Sequence, residues 1–190
     1  MIKVEIIKKA IPTLFIFIFA LSGVMISFVY GQFSILFYNY YKDMSKEQLN
    51  KLTFTAFMVE GCGECLGGLL LAIFSKKITN FPLTYTLNGL LFAGSLILLN
   101  FGFENNNIDV INGAAFFIGV ADCFCFSMAL AIGGHWNEKG VSLFNLGQSG
   151  IVAIISILHI FIDFSYLTII YGLIFVLSIL PLFVYRRNLS

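Results

Sequence analysis

Long apolar runs follow one another along this chain, separated by short polar segments. Six runs cover residues 11–38, 52–74, 81–101, 108–132, 141–162 and 164–185. Each is about 20 residues or longer, the length of α-helix that crosses a hydrocarbon core of about 30 Å. The runs are continuously apolar, whereas a lipid-spanning β-barrel needs alternating polarity. The pattern therefore predicts an all-α polytopic membrane protein, with six transmembrane helices in a single domain over residues 1–190.

The ends of these runs carry further structural information. No charged residue occurs in residues 11–41, so the first run is longer than one span needs. We expect this helix to tilt, to kink or to leave the lipid before Asn39. The polar residues 42–51 predict a short surface helix with Ser45 as its N-cap. Asp163 alone separates the last two runs, which predicts a tight turn between them.

Composition and charge support a membrane protein and suggest its orientation. The chain is 59% hydrophobic and 11% charged, against about 25% charged residues in soluble domains. Eight of its eleven Lys and Arg residues lie in the termini and in the loops on the same side. The positive-inside rule predicts both termini on the cytoplasmic or equivalent side. That sidedness fits a plasma membrane, an endomembrane or a mitochondrial inner membrane, and no basic face indicates nucleic acid.

The sequence contains no motif of a known catalytic or cofactor site. It has no P-loop, no dinucleotide fingerprint and no HExxH zinc motif. His135 and His159 are isolated, without a nucleophile and an acid in a recognised spacing. A lone histidine inside a span is more often a hydrogen-bonded structural residue. We predict that the chain is not an enzyme and binds no cofactor.

Three carboxylates, Glu60, Glu64 and Asp122, fall inside predicted spans. A charge at the centre of a spanning helix costs about 2.5–3.5 kcal/mol, which makes these residues functional candidates. Glu60 and Glu64 share a helix face, so at least one must be protonated or partnered. No Lys or Arg lies within a span, which leaves only neutral partners: Asn112, Ser127, Asn145, Gln148 and Ser149. The acids either line a proton- or cation-coupled pathway or serve as hydrogen-bonded structural groups.

Glycines cluster in the second span. Gly63 and Gly67 form a small-xxx-small pair, and Gly68 follows directly. Such pairs let two helix backbones approach closely in lipid, where no hydrophobic drive brings helices together. The pair predicts close packing, either inside the bundle or against a partner chain.

Four cysteines have spacings that resemble those of metal ligands. They occur as Cys62-x-x-Cys65 and Cys123-x-Cys125, each within an apolar helix. Cysteine also serves as a small apolar filler in such helices. We therefore predict neither a metal site nor a disulfide.

Several short patterns follow one another in a distinctive order. They are Ser22-Gly23 and Gly31-Gln32-Phe33, then Phe57-Met58-x-x-Gly61-x-x-Glu64-x-x-Gly67-Gly68, then Gly119-x-x-Asp122, and then Phe144-x-x-x-Gln148-Ser149. Their order and spacing resemble the C-terminal six helices of the uncoordinated (Unc-ninety-three-like) family of the major facilitator superfamily. The resemblance covers most of the chain and implies half of a twelve-helix fold. It also implies a role like that of family members, which act as regulators, trafficking partners or accessory subunits.

A half-facilitator leaves one face uncovered, because such transporters hold their substrate between two six-helix halves. Compared with the family pattern, polar residues are replaced by Met25 and Ile26, and by residues 126–128 after Asp122. We therefore predict a non-enzymatic accessory, structural or regulatory subunit of a larger membrane complex, whose partners are lipid and other membrane subunits. The alternative is a homodimeric proton-coupled small-solute transporter, and lipid binding or scrambling is a third interpretation.

Overall fold

A computed structural model describes residues 17–74, 81–134 and 137–184. Within these ranges the chain is helical apart from short turns and contains no strand. In chain order the helices are α1 Phe17–Ile26, α2 Phe33–Tyr40, α3 Lys46–Phe74, α4 Phe81–Glu104, α5 Ile108–Gly134, α6 Asn137–Phe161 and α7 Phe164–Val184. A π-helical segment, Phe28–Gln32, joins α1 to α2. The predicted all-helical class is confirmed for the described residues.

Four helices, α3 to α6, are long and apolar enough to cross a membrane. The apolar stretches of α1 and α7 are shorter in the described part of the chain, covering Phe17–Ile26 and Phe164–Ile179. Residues 11–16 of the predicted first span and residue 185 of the last lie outside the described ranges. Four of the six predicted spans are thus supported by length and composition, and the other two stay predictions.

The helix of the second apolar run starts earlier than the run itself. Helix α3 begins at Lys46, so the prediction of a separate surface helix in residues 42–51 was wrong. Ser45 and Gln48 form a capping box at this start. The backbone N–H of Gln48 donates to Ser45 Oγ at 3.3 Å, and the N–H of Ser45 donates to Gln48 Oε1 at 3.1 Å. Ser45 therefore caps the polar first turns of a membrane-length helix.

The first apolar run is broken at Gly31. This glycine has φ +127° and ψ 5°, a combination outside the helical region and accessible mainly to residues without a Cβ. Just before α2, the N–H of Gln32 donates to the carbonyl of Ser27 at 3.3 Å, in the i to i+5 pattern of a π turn. Of the three outcomes expected for this run, the structure shows a kink, which lies between α1 and α2.

Aromatic rings hold this break against the neighbouring helices. The ring of Phe28 contacts Phe33 at 5.4 Å and Phe92 of α4 at 6.3 Å, measured between centroids. Phe33 in turn meets Phe57 of α3 at 5.8 Å. Edge-on aromatic pairs at these distances are favourable. The two halves of the first run are therefore fixed by α3 and α4.

Helix α5 forms the centre of the bundle. It packs against α3, α4 and α6, while α7 packs mainly against α4. In its most apolar window 56% of the residues are buried, compared with 17% in α3 and in α6. Helices α3 and α6 are thus peripheral and turn most of their surface outward.

The backbones of α3 and α5 touch through two glycines. A Cβ at Gly63 would overlap the carbonyl oxygen of Phe116, and one at Gly119 would overlap the carbonyl oxygen of Glu60. Only glycine allows backbone to approach backbone this closely. We refer to this contact region as the α3–α5 seam.

Gly67, the second glycine of the predicted pair, extends the seam by one turn. A Cβ at Gly67 would lie 3.0 Å from the Val120 carbonyl oxygen and 2.9 Å from the Cβ of Cys123. At Gly68 the nearest atom, Cys123 Sγ, would be 3.7 Å away, which is ordinary contact. Of the two predicted roles for the Gly63 and Gly67 pair, the structure favours packing inside the bundle.

A larger side chain at Gly63 should push helices α3 and α5 apart at the seam. We expect Gly63→Ala to lower the free energy of unfolding by about 1–3 kcal/mol, because the added methyl must displace backbone. Titration of the purified protein in detergent micelles with sodium dodecyl sulfate measures this loss. Gly61→Ala is the matched control, since nothing lies within 4 Å of its Cβ position. Equal effects of the two substitutions would contradict the seam.

Candidate functional site

The three intramembrane acids come together at the α3–α5 seam. Glu60 lies against Gly119 and Gly67 lies against Cys123, so the two helices run parallel. This pairing places Glu64 beside Gly119 and brings Asp122 close enough to both glutamates to interact with them electrostatically. Two of the acids come from α3 and one from α5, so the cluster exists only when these helices pack.

Two of the three carboxyl groups are deeply buried. Glu60 is 1% exposed and Asp122 is 5% exposed, while Glu64 is half-buried. Within the described residues, no hydrogen-bond partner reaches Glu60 Oε1 or Asp122 Oδ1. Buried polar atoms are nearly always hydrogen-bonded, so these unpaired oxygens mark the cluster as a functional candidate. Glu64 is only half-buried, so it connects the cluster to the surface of the bundle.

The five neutral partners predicted for these acids do not bond to them. Asn112 precedes Asp122 by ten residues on α5, which separates them by about 15 Å along the helix. Ser127, also on α5, lies within hydrogen-bonding reach of the Cys123 thiol. The other three, Asn145, Gln148 and Ser149, belong to α6. Within the described residues none of the five forms a hydrogen bond to an acid. The acids therefore form a cluster of their own.

A second polar pair occupies the same seam two turns away. Thr53 precedes Glu60 by seven residues and Asn112 precedes Gly119 by seven, which keeps each on the facing side of its helix. Thr53 Oγ1 and Asn112 Oδ1 are both buried, and neither has a hydrogen-bond partner in the described part of the chain. Thr53 was not among the predicted site residues, although its spacing of seven residues from Glu60 was the available signal.

The described residues offer no group of three or more His, Cys, Asp or Glu side chains that could hold a metal ion. All four cysteines are free thiols, with Cys62 and Cys65 exposed and Cys125 buried. Among the described residues, the carboxyl groups of the seam therefore do not form a metal-ligand set.

The α6 residues predicted from the sequence lie in two different environments. Gln148 lies where α1 crosses, since a Cβ at Gly23 would lie 2.9 Å from Gln148 Cα, and its Nε2 is buried without a partner in the described residues. Asn145 and Ser149 instead lie exposed on the outer surface of α6. These two side chains face whatever surrounds the bundle.

His159 is a structural residue, as its isolation in the sequence predicted. Its Nε2 lies 3.3 Å from the hydroxyl of Tyr171, and its ring stacks on Phe164 with centroids 6.1 Å apart. These contacts tie α6 to α7 next to the tight turn. His135 lies outside the described residues.

The packing of Glu60 can be tested by paired substitutions. We expect Glu60→Gln to change the free energy of unfolding by less than about 1 kcal/mol, because glutamine keeps the volume and a neutral polar end. Glu60→Ala should lose about 2 kcal/mol or more by leaving a cavity in the seam. Unfolding in detergent micelles measures both. An alanine variant more stable than the wild type would show that the side chain does not support the fold.

Comparison with known proteins gives no relative for this chain. Its sequence matches no protein-family model and no curated protein, and its fold matches no solved structure.

Proposed function

We propose that this chain is a non-enzymatic integral membrane protein that serves as an accessory, structural or regulatory subunit of a larger membrane complex. In this proposal six spans form a half-facilitator fold, with both termini on the cytoplasmic-equivalent side. The four membrane-length helices, the motif order of the Unc-ninety-three-like resemblance and the charge distribution of the loops support it. The observation that carries it lies on α6.

Polar side chains form a stripe on the outer surface of α6. Asn145, Ser149 and Ser156 are exposed, and their spacings of four and seven residues place them on one face. The Ser156 hydroxyl donates to the carbonyl of Val152 at 2.8 Å. Asn145 and Ser149 have no hydrogen-bond partner in the described residues. We call these three residues the α6 polar stripe.

A stripe of this kind is unfavourable in contact with lipid. An amide or hydroxyl in hydrocarbon without a hydrogen bond costs about 2–7 kcal/mol, depending on the reference state. Polar residues inside membranes therefore face other helices or water, and side-chain hydrogen bonds between helices help membrane subunits associate. A small cavity of about 190 Å³ beside Ser149, lined also by Ile26 and Gln148, offers room for a partner's side chain.

The assembly state of the native protein tests this proposal. We expect the chain, solubilised from its own membrane in mild detergent, to migrate within a larger complex on a native gel. Replacing the stripe by Asn145→Leu with Ser149→Leu should reduce the complexed fraction about fivefold, because an interhelical hydrogen bond contributes about 1 kcal/mol.

Leu146→Ala provides the matched control, since Leu146 is 64% exposed on the same helix but lies off the stripe. This variant should remain in the complex. A wild-type chain that migrates as a free monomer or as a simple homodimer would contradict the proposal.

The carboxylate cluster favours a second candidate, a homodimeric proton-coupled transporter of small solutes. Glu60 and Asp122 are buried with unpaired oxygens, and half-exposed Glu64 links them to the edge of the seam. Acids arranged in this way inside membranes serve proton relays. In this candidate, protons would enter at Glu64 and reach Asp122 across the seam.

Proton flux tests the second candidate directly. The purified chain in liposomes, loaded with a pH-sensitive dye and held at a membrane potential, should carry protons faster than protein-free liposomes. Asp122→Asn and Glu64→Gln should each lower this flux about tenfold or more. Glu104→Gln, at the exposed end of α4, should leave it unchanged. A wild-type flux equal to that of empty liposomes would eliminate this candidate.

A further inference from the structure

A cavity of about 910 Å³ opens at the end of the bundle where α2 and α6 end and α7 begins. It lies between the C-terminal end of α2 and the turn from α6 to α7. Charged and polar side chains line one part of its wall, among them Lys42, Tyr40 and Asp163, whereas Ile35 and Phe161 line another. The cavity belongs neither to the acid cluster nor to the α6 polar stripe.

The wall combines apolar and ionic side chains. Helix α2 contributes Ile35 before its end at Tyr40, and Lys42 follows outside the helix. Helix α6 contributes buried His159 and, at its end, Phe161, and Asp163 forms the turn beyond it. The two charged residues therefore lie outside the helices. A wall of apolar helix residues next to charged turn residues matches a molecule with one apolar and one ionic end.

Tyrosines place the rim of the cavity at the level of lipid headgroups. Tyr38 is 42% exposed, Tyr40 36% and Tyr166 65%, all at the same end of the bundle. Tyrosine and tryptophan concentrate at the two membrane–water interfaces, where an aromatic ring meets lipid and its hydroxyl meets water. A cavity opening at this depth faces phospholipid headgroups first.

The rim carries opposite charges that remain available to a ligand. Lys42 and Asp163 both line the cavity, and neither forms an ion pair with another described residue. A cationic and an anionic group that line the same cavity suit a ligand that carries both a phosphate and an ammonium. A singly anionic headgroup would satisfy Lys42 and leave the carboxylate of Asp163 facing its phosphate.

One wall of the rim is held in place by a polar network. Ser165 lies within hydrogen-bonding reach of Tyr40, and its Oγ donates to Asn100 Oδ1 at 3.4 Å. Asn100 Nδ2 in turn donates to Glu104 Oε1 at 3.2 Å. Burial and the nearby Glu104 carboxylate raise the pKa of Tyr40 further above its ordinary value, at which the phenol is already protonated at neutral pH. The network joins α2, α4 and α7 around the cavity.

We propose that this cavity binds a zwitterionic phospholipid, with the phosphate against Lys42 and the ammonium against Asp163. The acyl chains then lie along Ile35 and Phe161, and the tyrosine faces at the rim add cation–π contacts to the ammonium. The recognised chemistry is a phosphate diester joined to an ammonium, and the apolar wall assigns it to membrane lipid rather than to a soluble diester. This site is independent of the subunit role proposed above.

Native mass spectrometry of the purified chain tests the site. The protein, delipidated in detergent, is mixed with phosphatidylcholine, with phosphatidylglycerol or with soluble glycerophosphocholine. We expect phosphatidylcholine to be retained about fivefold more than phosphatidylglycerol. Lys42→Gln and Asp163→Asn should each lower its retention by a similar factor. Lys46→Gln is the matched control, because Lys46 is exposed at the same end but does not line the cavity.

Three results would overturn the proposal. Equal retention of the two phospholipids would remove the zwitterionic selectivity, and this comparison needs no variant. Equal loss in Lys42→Gln and Lys46→Gln would show a general surface charge effect. Binding of glycerophosphocholine as tightly as of phosphatidylcholine would assign the cavity to a soluble ligand. None of these results bears on the assembly state of the protein.

Discussion

The backbone contact between α3 and α5 is the constraint on which the bundle depends. Gly63 and Gly119 let the two helices meet without intervening side chains, and in lipid such close packing replaces the hydrophobic drive of soluble cores. The contact makes α5 the centre, leaves α3 at the periphery and brings Asp122 within electrostatic range of Glu60 and Glu64. A bulkier residue at either glycine would therefore disturb the packing of the core and the acid cluster together.

Polar groups within the described helices lie in two contrasting environments. In the α3–α5 seam the carboxyl groups are enclosed, and their unpaired oxygens make the interior the candidate for proton chemistry. On α6, Asn145 and Ser149 face outward, where the surrounding hydrocarbon offers no hydrogen bond. The enclosed acids are the basis of the proposed proton-coupled transport, and the outward polar residues of α6 are the basis of the proposed association with a partner subunit. Each proposed function therefore depends on a different set of polar residues.

The apolar runs predicted the helices well, because bilayer thickness dictates helix length. The capping role of Ser45 and the kink in the first run were also accessible from local chemistry. The sequence did not reveal that the kink lies at Gly31 and not at Gly23, since both are glycines in apolar surroundings. Packing decides between them: Gly23 lies under α6, whereas Gly31 adopts a positive φ. Likewise, the meeting of Glu64 with Asp122 depends on which helices pair, and periodicity within one helix carries no such information.

The break at Gly31 has a consequence for how the chain is made. The first apolar run emerges from the ribosome before the helices that hold its kink, and a continuous helix satisfies all its backbone hydrogen bonds in lipid. The kink gives up part of that ladder and rests on rings from α3 and α4, such as Phe57 and Phe92. We therefore expect the run to enter the membrane as a straight segment and to bend once later parts of the chain arrive. Its final shape is determined by residues synthesised after it.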